Sequence, residues 1–201
     1  MRLVVVAGKC GSGKTTLVKN SAKGNRFTFI GSNRHSADEM EGTAVIVDSY
    51  PLKSPCARVR QYSYRVELHS KDDVPIIISE PPSGCLEQSS PMLNPIYANQ
   101  RDVYSIGPLI TAVDGRGIVS EILVPRFTEG LRMHNMIEES DVIAVTFSDL
   151  LSDEERGKAE RIIRDINDTC EIVFCTMDGE GSDRISELIF GDSEYTRPLY
   201  Y

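Results

Sequence analysis

Residues 8–16, GKCGSGKTT, follow directly on the apolar run RLVVVA and satisfy the spacing GxxxxGK[ST]. Gly8, Gly11 and Gly13 let the backbone turn and bring its N–H groups onto phosphate oxygens, and a helix starting here points its positive end at the same charge. In that arrangement Lys14 reaches the β and γ phosphates of a nucleoside triphosphate, and the Thr15 hydroxyl holds Mg²⁺. Cys10, Ser12 and Thr16 complete the loop. Placement after a strand and before a helix separates a phosphate cradle from a chance glycine-rich turn.

Two acids are candidates for the rest of the chemistry. AVIVDSY and PIIISEPPSG each run from apolar residues into a carboxylate, Asp48 and Glu80. Acids at the carboxyl edge of a parallel sheet lie where ligands bind in such folds. Either can order Mg²⁺ or water for in-line attack on a γ phosphate, where catalysis is mostly positioning and charge stabilisation. Lys14, Asp48 and Glu80 are therefore the expected catalytic set, with Thr15, Asp48 and Glu80 around the metal. Asp114, in AVDGRG, carries the Asp-Gly turn signature and reads as a turn residue. His35, His69 and His134 have no spacing that picks out catalysis.

The elements that must position these groups are readable from periodicity. The runs RLVVVA, RFTFI, TAVIVD, VPIIIS, PLITAV, GIVSEIL, DVIAVTF and CEIVFCT are short and continuously apolar, as strands buried on both faces are. Helices are expected at 14–22, at 126–139, in SDEERGKAERIIRDIND, where Ser152 and Glu155 have capping-box spacing, and after GEGSDRISELIF. Strands alternating with helices, and one phosphate loop after the first strand, predict a doubly wound, mostly parallel α/β sheet with helices on both faces. The expected organisation is one nucleotide-binding domain over 1–190 and a tail over 191–201. Residues 81–107, rich in Pro, Ser and Asn, read as a long loop or lid.

Bulk composition narrows the classes. The chain has 201 residues, 40% hydrophobic and 26% charged, with a formal net charge of -8. That charge argues against a general nucleic-acid coat, which needs a Lys/Arg surplus. Lys53, Arg58, Arg60 and Arg65 make a local basic strip that reads as solvated surface. No apolar run reaches the roughly 20 residues of a membrane helix, and no cleavage-site pattern opens the chain, so a cytoplasmic protein without membrane contact is expected. Five cysteines at irregular spacing do not form a disulfide framework.

Over most of the chain the order of motifs is similar to that of the CobW/HypB/UreG family of metallochaperone NTPases. GKCGSGKTTLVKN resembles its GxxGxGKTTL start, AVIVDSY the strand ending in its switch residue, at Asp48, and PIIISEPPSGCLEQ its strand followed by ExxG. GPLITAVDG and ESDVIAVTFSDLLSDEE resemble its vVtVVDa and aDrivlNKtDLvseee stretches. The resemblance implies a P-loop fold, Mg²⁺, a nucleotide switch, a homodimer, and a client metalloenzyme or cofactor-synthesis protein. It puts Asp149 at the base-reading aspartate, with Thr146 and Phe147 where Asn and Lys stand; Phe147 offers a ring to stack on a base. Loss of that Asn-Lys pair puts ATP ahead of GTP. EPPSG carries one residue more than ExxG between Glu80 and Gly84, and the CxCC metal motif is missing. Cys56 and Cys85 are the candidates for a transferred Ni²⁺, Co²⁺ or Zn²⁺. Lys9 resembles the signature lysine of MinD, ParA and nitrogenase-iron-protein ATPases, which reaches phosphate across a dimer interface; a solvated lysine on the loop's rim is the alternative. Cys10 marks a redox- or metal-sensitive point beside the phosphates. Two other readings stay open: a small-molecule or nucleotide kinase, and a ParA/MinD-like regulatory ATPase.

Overall fold

Runs of Val and Ile with few polar residues form the strands of a single seven-stranded sheet. The computed structural model describes residues 1–50, 59–81, 92–118 and 127–196. The strands are β1 (Arg2–Gly8), β2 (Thr28–Gly31), β3 (Ile46–Ser49), β4 (Ile76–Ser79), β5 (Ser105–Asp114), β6 (Val142–Thr146) and β7 (Glu171–Phe174). Their order is β3-β2-β4-β1-β5-β6-β7, and neighbours pair in parallel. The expected doubly wound α/β architecture is therefore present, with β1 and its following loop at the centre.

The helices are α1 (Lys14–Ala22), α2 (Arg34–Asp38), α3 (Val59–His69), α4 (Asn94–Gln100), α5 (Phe127–Glu138), α6 (Asp153–Ile166) and α7 (Ser182–Phe190). Alternation along β1 sends Val4 and Val6 to one face, where Leu17 and Val18 of α1 and Ile185, Leu188 and Ile189 of α7 cover them. Leu3, Val5 and Ala7 face the other way, against Tyr62 and Val66 of α3 and Ile96 of α4. Farther along the same sheet, Val113, Ile143 and Val145 meet Met133 and Ile137 of α5 and Ala159 and Ile163 of α6. Such burial on both faces explains why these strands show no polar alternation.

α6 begins as its capping box requires: the Ser152 hydroxyl accepts from the Glu155 N–H at 3.3 Å, and the Glu155 carboxylate accepts from the Ser152 N–H at 2.8 Å. Two expectations need correction. GIVSEIL is not a strand where it is described, because residues 115–118 are helical. The long polar segment 81–107 contains α4 and the start of β5, since Ile96 and Tyr104 supply apolar faces within it. AVIVDSY, the third strand, lies on the sheet's edge. In the tail, Tyr195 is buried and its N–H donates to the Ile106 carbonyl at 3.0 Å, while Thr196 N–H donates to Asp141 Oδ1 at 3.0 Å.

Candidate functional site

The phosphate loop crosses the top of β1 and enters α1. Gly8 has φ +145, and a Cβ there would stand 2.5 Å from the Ala112 carbonyl oxygen of the neighbouring strand. Gly13 caps α1 in the left-handed conformation, φ 77, and its carbonyl accepts from Leu17 N–H at 2.8 Å. The Lys14 ammonium bends back over the loop and donates to the Lys9 carbonyl at 2.7 Å. Burial lowers the Lys14 pKa, and the nearby Glu80 and Cys10 pull it back up.

Glu80, just beyond β4, lies next to this loop because β4 pairs with β1. Its side chain is almost fully buried, and Thr15 Oγ1 donates to Oε2 at 3.1 Å. The second oxygen, Oε1, has no hydrogen-bond partner among the described residues. Burial raises the carboxyl to about 7, against the opposing pull of Lys14 and Thr15. A hydroxyl and a half-satisfied carboxylate side by side form a hard-oxygen pair of the kind Mg²⁺ takes, so the residues present fit that ion.

A cavity of about 390 Å³ opens beside the loop. One wall is Cys10, Gly11, Gly13, Lys14, Thr15 and Thr16; the floor includes Glu80; the facing wall is Ser32, Asn33, His35, Ser36 and Glu39. That facing wall follows β2 and is braced by its own capping box, with Asn33 Oδ1 accepting from Ser36 N–H at 3.0 Å and Ser36 Oγ accepting from Asn33 N–H at 3.3 Å. None of these five residues stood out in the sequence. The cue was SNRHS after an apolar run, a cap signature at the end of a strand.

Asp48 does not join this group. Its carboxylate receives Arg65 Nη1 at 2.8 and 2.6 Å and lies 3.0 Å from His69 Nε2, whose Nδ1 in turn meets Asp72 at 2.7 Å. Burial alone would raise the Asp48 pKa, but the His69, Ser49 and Arg65 hydrogen bonds outweigh it and the net shift is downward. It is absent from the cavity wall because β2 and β4 separate β3 from β1. Asp48, expected at Mg²⁺ and in catalysis, is thus not brought to Thr15 and Glu80 in this structure. Of the basic strip, Arg65 belongs to the Asp48 cluster, and Lys53 and Arg58 lie outside the described residues.

On the other side of the loop, β6 ends in Thr146, whose hydroxyl donates to the Ser12 carbonyl at 2.9 Å. Phe147 follows with φ 55, in the left-handed region that few non-glycine residues occupy. The Arg116 guanidinium lies 3.9 Å from the centre of its ring. Asp149 is exposed on the short 3₁₀ turn Ser148–Leu150. The turn after β7 closes this side, with the Met177 carbonyl accepting from Asn20 Nδ2 of α1 at 3.1 Å. Thus Lys14, Thr15 and Glu80 come together, while Phe147 and Asp149 stand on the flank across the loop.

Of the cysteines, Cys10 is exposed on the loop and Cys170 and Cys175 are buried. Burial pushes the Cys175 thiol up to about 12. Cys56 and Cys85 lie outside the described residues, and no cluster of three metal-ligating side chains occurs among the described ones. No described helix is long and apolar enough to cross a membrane.

No protein-family profile matches the sequence, and no curated protein matches it. Solved structures do match its fold. The chain superposes on the hydrogenase maturation factor HypB from Archaeoglobus fulgidus with a TM-score of 0.65 at 14% identity, covering 95% of this chain and 89% of that one. It matches the Zn(II)-bound YjiA GTPase from E. coli with a TM-score of 0.53 at 13% identity, over 81% of this chain and 54% of that one. The signal recognition particle receptor FtsY from Elizabethkingia anophelis, in complex with GDP, gives 0.52 at 15% identity, over 95% and 64%. The fold is that of a P-loop NTPase domain like those of HypB and YjiA.

Proposed function

We propose that this protein binds and hydrolyses a Mg²⁺-bound purine nucleoside triphosphate at the Gly8–Thr16 loop and uses the cycle as a switch. The observation that carries this reading is Glu80: a buried carboxylate with one oxygen on the Thr15 hydroxyl and the other without a partner among the described residues. Removing a carboxylate from water without full hydrogen bonding is unfavourable, so the arrangement suits a group that receives a cation. Thr15 and Glu80 would hold Mg²⁺, which when bound supplies charge stabilisation to the phosphates. Lys14 leaves the Lys9 carbonyl for the phosphate oxygens, and the loop N–H groups orient them. Ser32, Asn33 and Glu39 face the loop from across the cavity.

ATP follows from the loss of the Asn-Lys pair at Thr146 and Phe147; GTP is the nucleotide implied by the GTPase YjiA and the GDP complex of FtsY. Both belong in the test. Mg·ATP and Mg·GTP are incubated separately with the protein and phosphate release is followed with no acceptor present. Slow release from at least one supports the switch. Nucleoside diphosphate formed only after a small hydroxyl acceptor is added, with the γ-phosphoryl group on the acceptor and no free phosphate, would establish the kinase alternative.

The likeness to HypB, a hydrogenase maturation factor, supports placing the switch in metal-cofactor or metalloenzyme maturation, with a client metalloenzyme as partner. Transfer of Ni²⁺, Co²⁺ or Zn²⁺ would fall to Cys56 and Cys85. Titration of wild type and Cys56→Ala with each metal tests this, and unchanged binding removes Cys56. Lys9 supports a nucleotide-dependent homodimer: Lys9→Ala is expected to bind nucleotide and remain monomeric, and a mutant that dimerises normally marks Lys9 as a rim charge.

A further inference from the structure

We propose that the purine base of the bound nucleotide stacks on the open face of the Arg116 guanidinium, making Arg116, held by Asp114 and backed by Phe147, the base-side affinity residue. The inference rests on the phosphate loop being a nucleotide site and adds a residue to which the motif order assigns no role. Arg116 Nε and Nη2 donate to the two Asp114 oxygens at 2.9 and 2.6 Å, and its backbone N–H donates to Oδ1 at 3.0 Å. The two guanidinium bonds to one carboxylate fix the plane of the guanidinium, and the backbone bond holds the carboxylate in place. One face lies 3.9 Å over the Phe147 ring. The arginine side chain remains about half exposed, at 49%. Planar, weakly hydrated guanidinium groups stack on bases as they do on aromatic rings.

Backbone geometry keeps the stack in place. Asp114 and Thr146 are in register on β5 and β6. A Cβ on Gly115 would stand 3.1 Å from the Thr146 carbonyl oxygen and 2.7 Å from a Leu151 methyl, so glycine eases the close approach of these strand ends. Phe147 is held in the left-handed conformation, a strained state for an aromatic residue that the surrounding structure must impose. β6 lies two strands from β1, or about 10 Å at the usual strand spacing. That offset suits a base joined to the loop's phosphates through a ribose. Asp149 is exposed on the same turn.

The test compares equilibrium binding of Mg·GTP, Mg·ATP and Mg·tripolyphosphate, a ligand with phosphates and no base, to wild type, Arg116→Ala, Arg116→Lys and Phe147→Ala. For the better-bound nucleotide, Arg116→Ala is expected to weaken affinity by about tenfold or more, the scale of one base–side-chain stack. Tripolyphosphate affinity should stay within about twofold of wild type. Arg116→Lys keeps the charge but loses the plane and should fall near Arg116→Ala; Phe147→Ala should fall between. Equal weakening of nucleotide and tripolyphosphate would show a charge effect and overturn the stacking. Unchanged nucleotide affinity in Arg116→Ala would also overturn it. If wild type binds neither nucleotide nor tripolyphosphate, the phosphate-site reading itself has failed, a result distinct from both.

Discussion

Replacing Glu80 by glutamine should stabilise the free protein and weaken its Mg²⁺-dependent grip on nucleotide. The folded-state carboxyl is raised by burial from 4.5 to about 7. The folded protein therefore binds this proton more tightly than the unfolded chain, and stability falls as pH rises between those two values. At about 1.4 kcal/mol per pH unit, the gap amounts to about 3 kcal/mol of destabilisation above pH 7, absent below pH 4.5. Glu80→Gln removes the ionisation while keeping nearly the same volume. Urea unfolding of both proteins from pH 5 to 8.5 gives a difference that isolates the group from other titrations. The variant's advantage should grow from under about 1 kcal/mol at pH 5 to about 3 kcal/mol at pH 8.5. A pH-independent difference, or a variant less stable at pH 8.5, would refute the claim that burial of this carboxylate dominates. In the same variant, nucleotide affinity measured with Mg²⁺ should approach that measured with EDTA.

Three further outcomes follow from particular contacts. Asp48→Ala removes the carboxylate that Arg65 Nη1 and His69 Nε2 share, while His69 Nδ1 keeps Asp72, and should cost about 2 kcal/mol of stability in urea unfolding, with phosphate release close to wild type; normal stability with lost hydrolysis would place Asp48 in the catalytic set. Gly8→Ala forces a methyl onto the Ala112 carbonyl at a φ of +145 and should abolish nucleotide binding while lowering the melting temperature; a variant that binds normally would contradict the loop geometry. Ser152→Ala removes the α6 cap and should cost about 1 kcal/mol with no effect on nucleotide, which thermal melts and a binding titration together check.

What could be read from the sequence divides along a physical line. The β1–loop–α1 unit and the α6 cap rest on contacts between residues close in the chain, and their spacing is visible in GKCGSGKTT and SDEE. Strand existence was legible from Val/Ile runs, but strand order depends on pairing between distant segments. Asp48 and Glu80 look alike in sequence, each an acid after an apolar run, yet β4 lies beside β1 and β3 lies at the edge. Only Glu80 therefore meets Thr15. α2 and α4 were hidden because a short helix in a polar segment has too few turns to show an apolar period; α4 contributes one fully buried large residue, Ile96. Arg116 was passed over since Asp-Gly explained Asp114 locally, and the stack on Phe147 joins two segments that the sequence does not connect.

The central claim is that Lys14, Thr15 and Glu80 form a Mg²⁺–triphosphate site. Its most direct measurement is calorimetric titration of wild type and Lys14→Ala with non-hydrolysable analogues of GTP and ATP, with Mg²⁺ and with EDTA. Saturable binding of at least one analogue, one per chain, is expected, requiring Mg²⁺ and weakening by about 30-fold or more in Lys14→Ala, the loss from truncating one partner of a buried charged contact. No binding by wild type, or equal binding by Lys14→Ala, would contradict it.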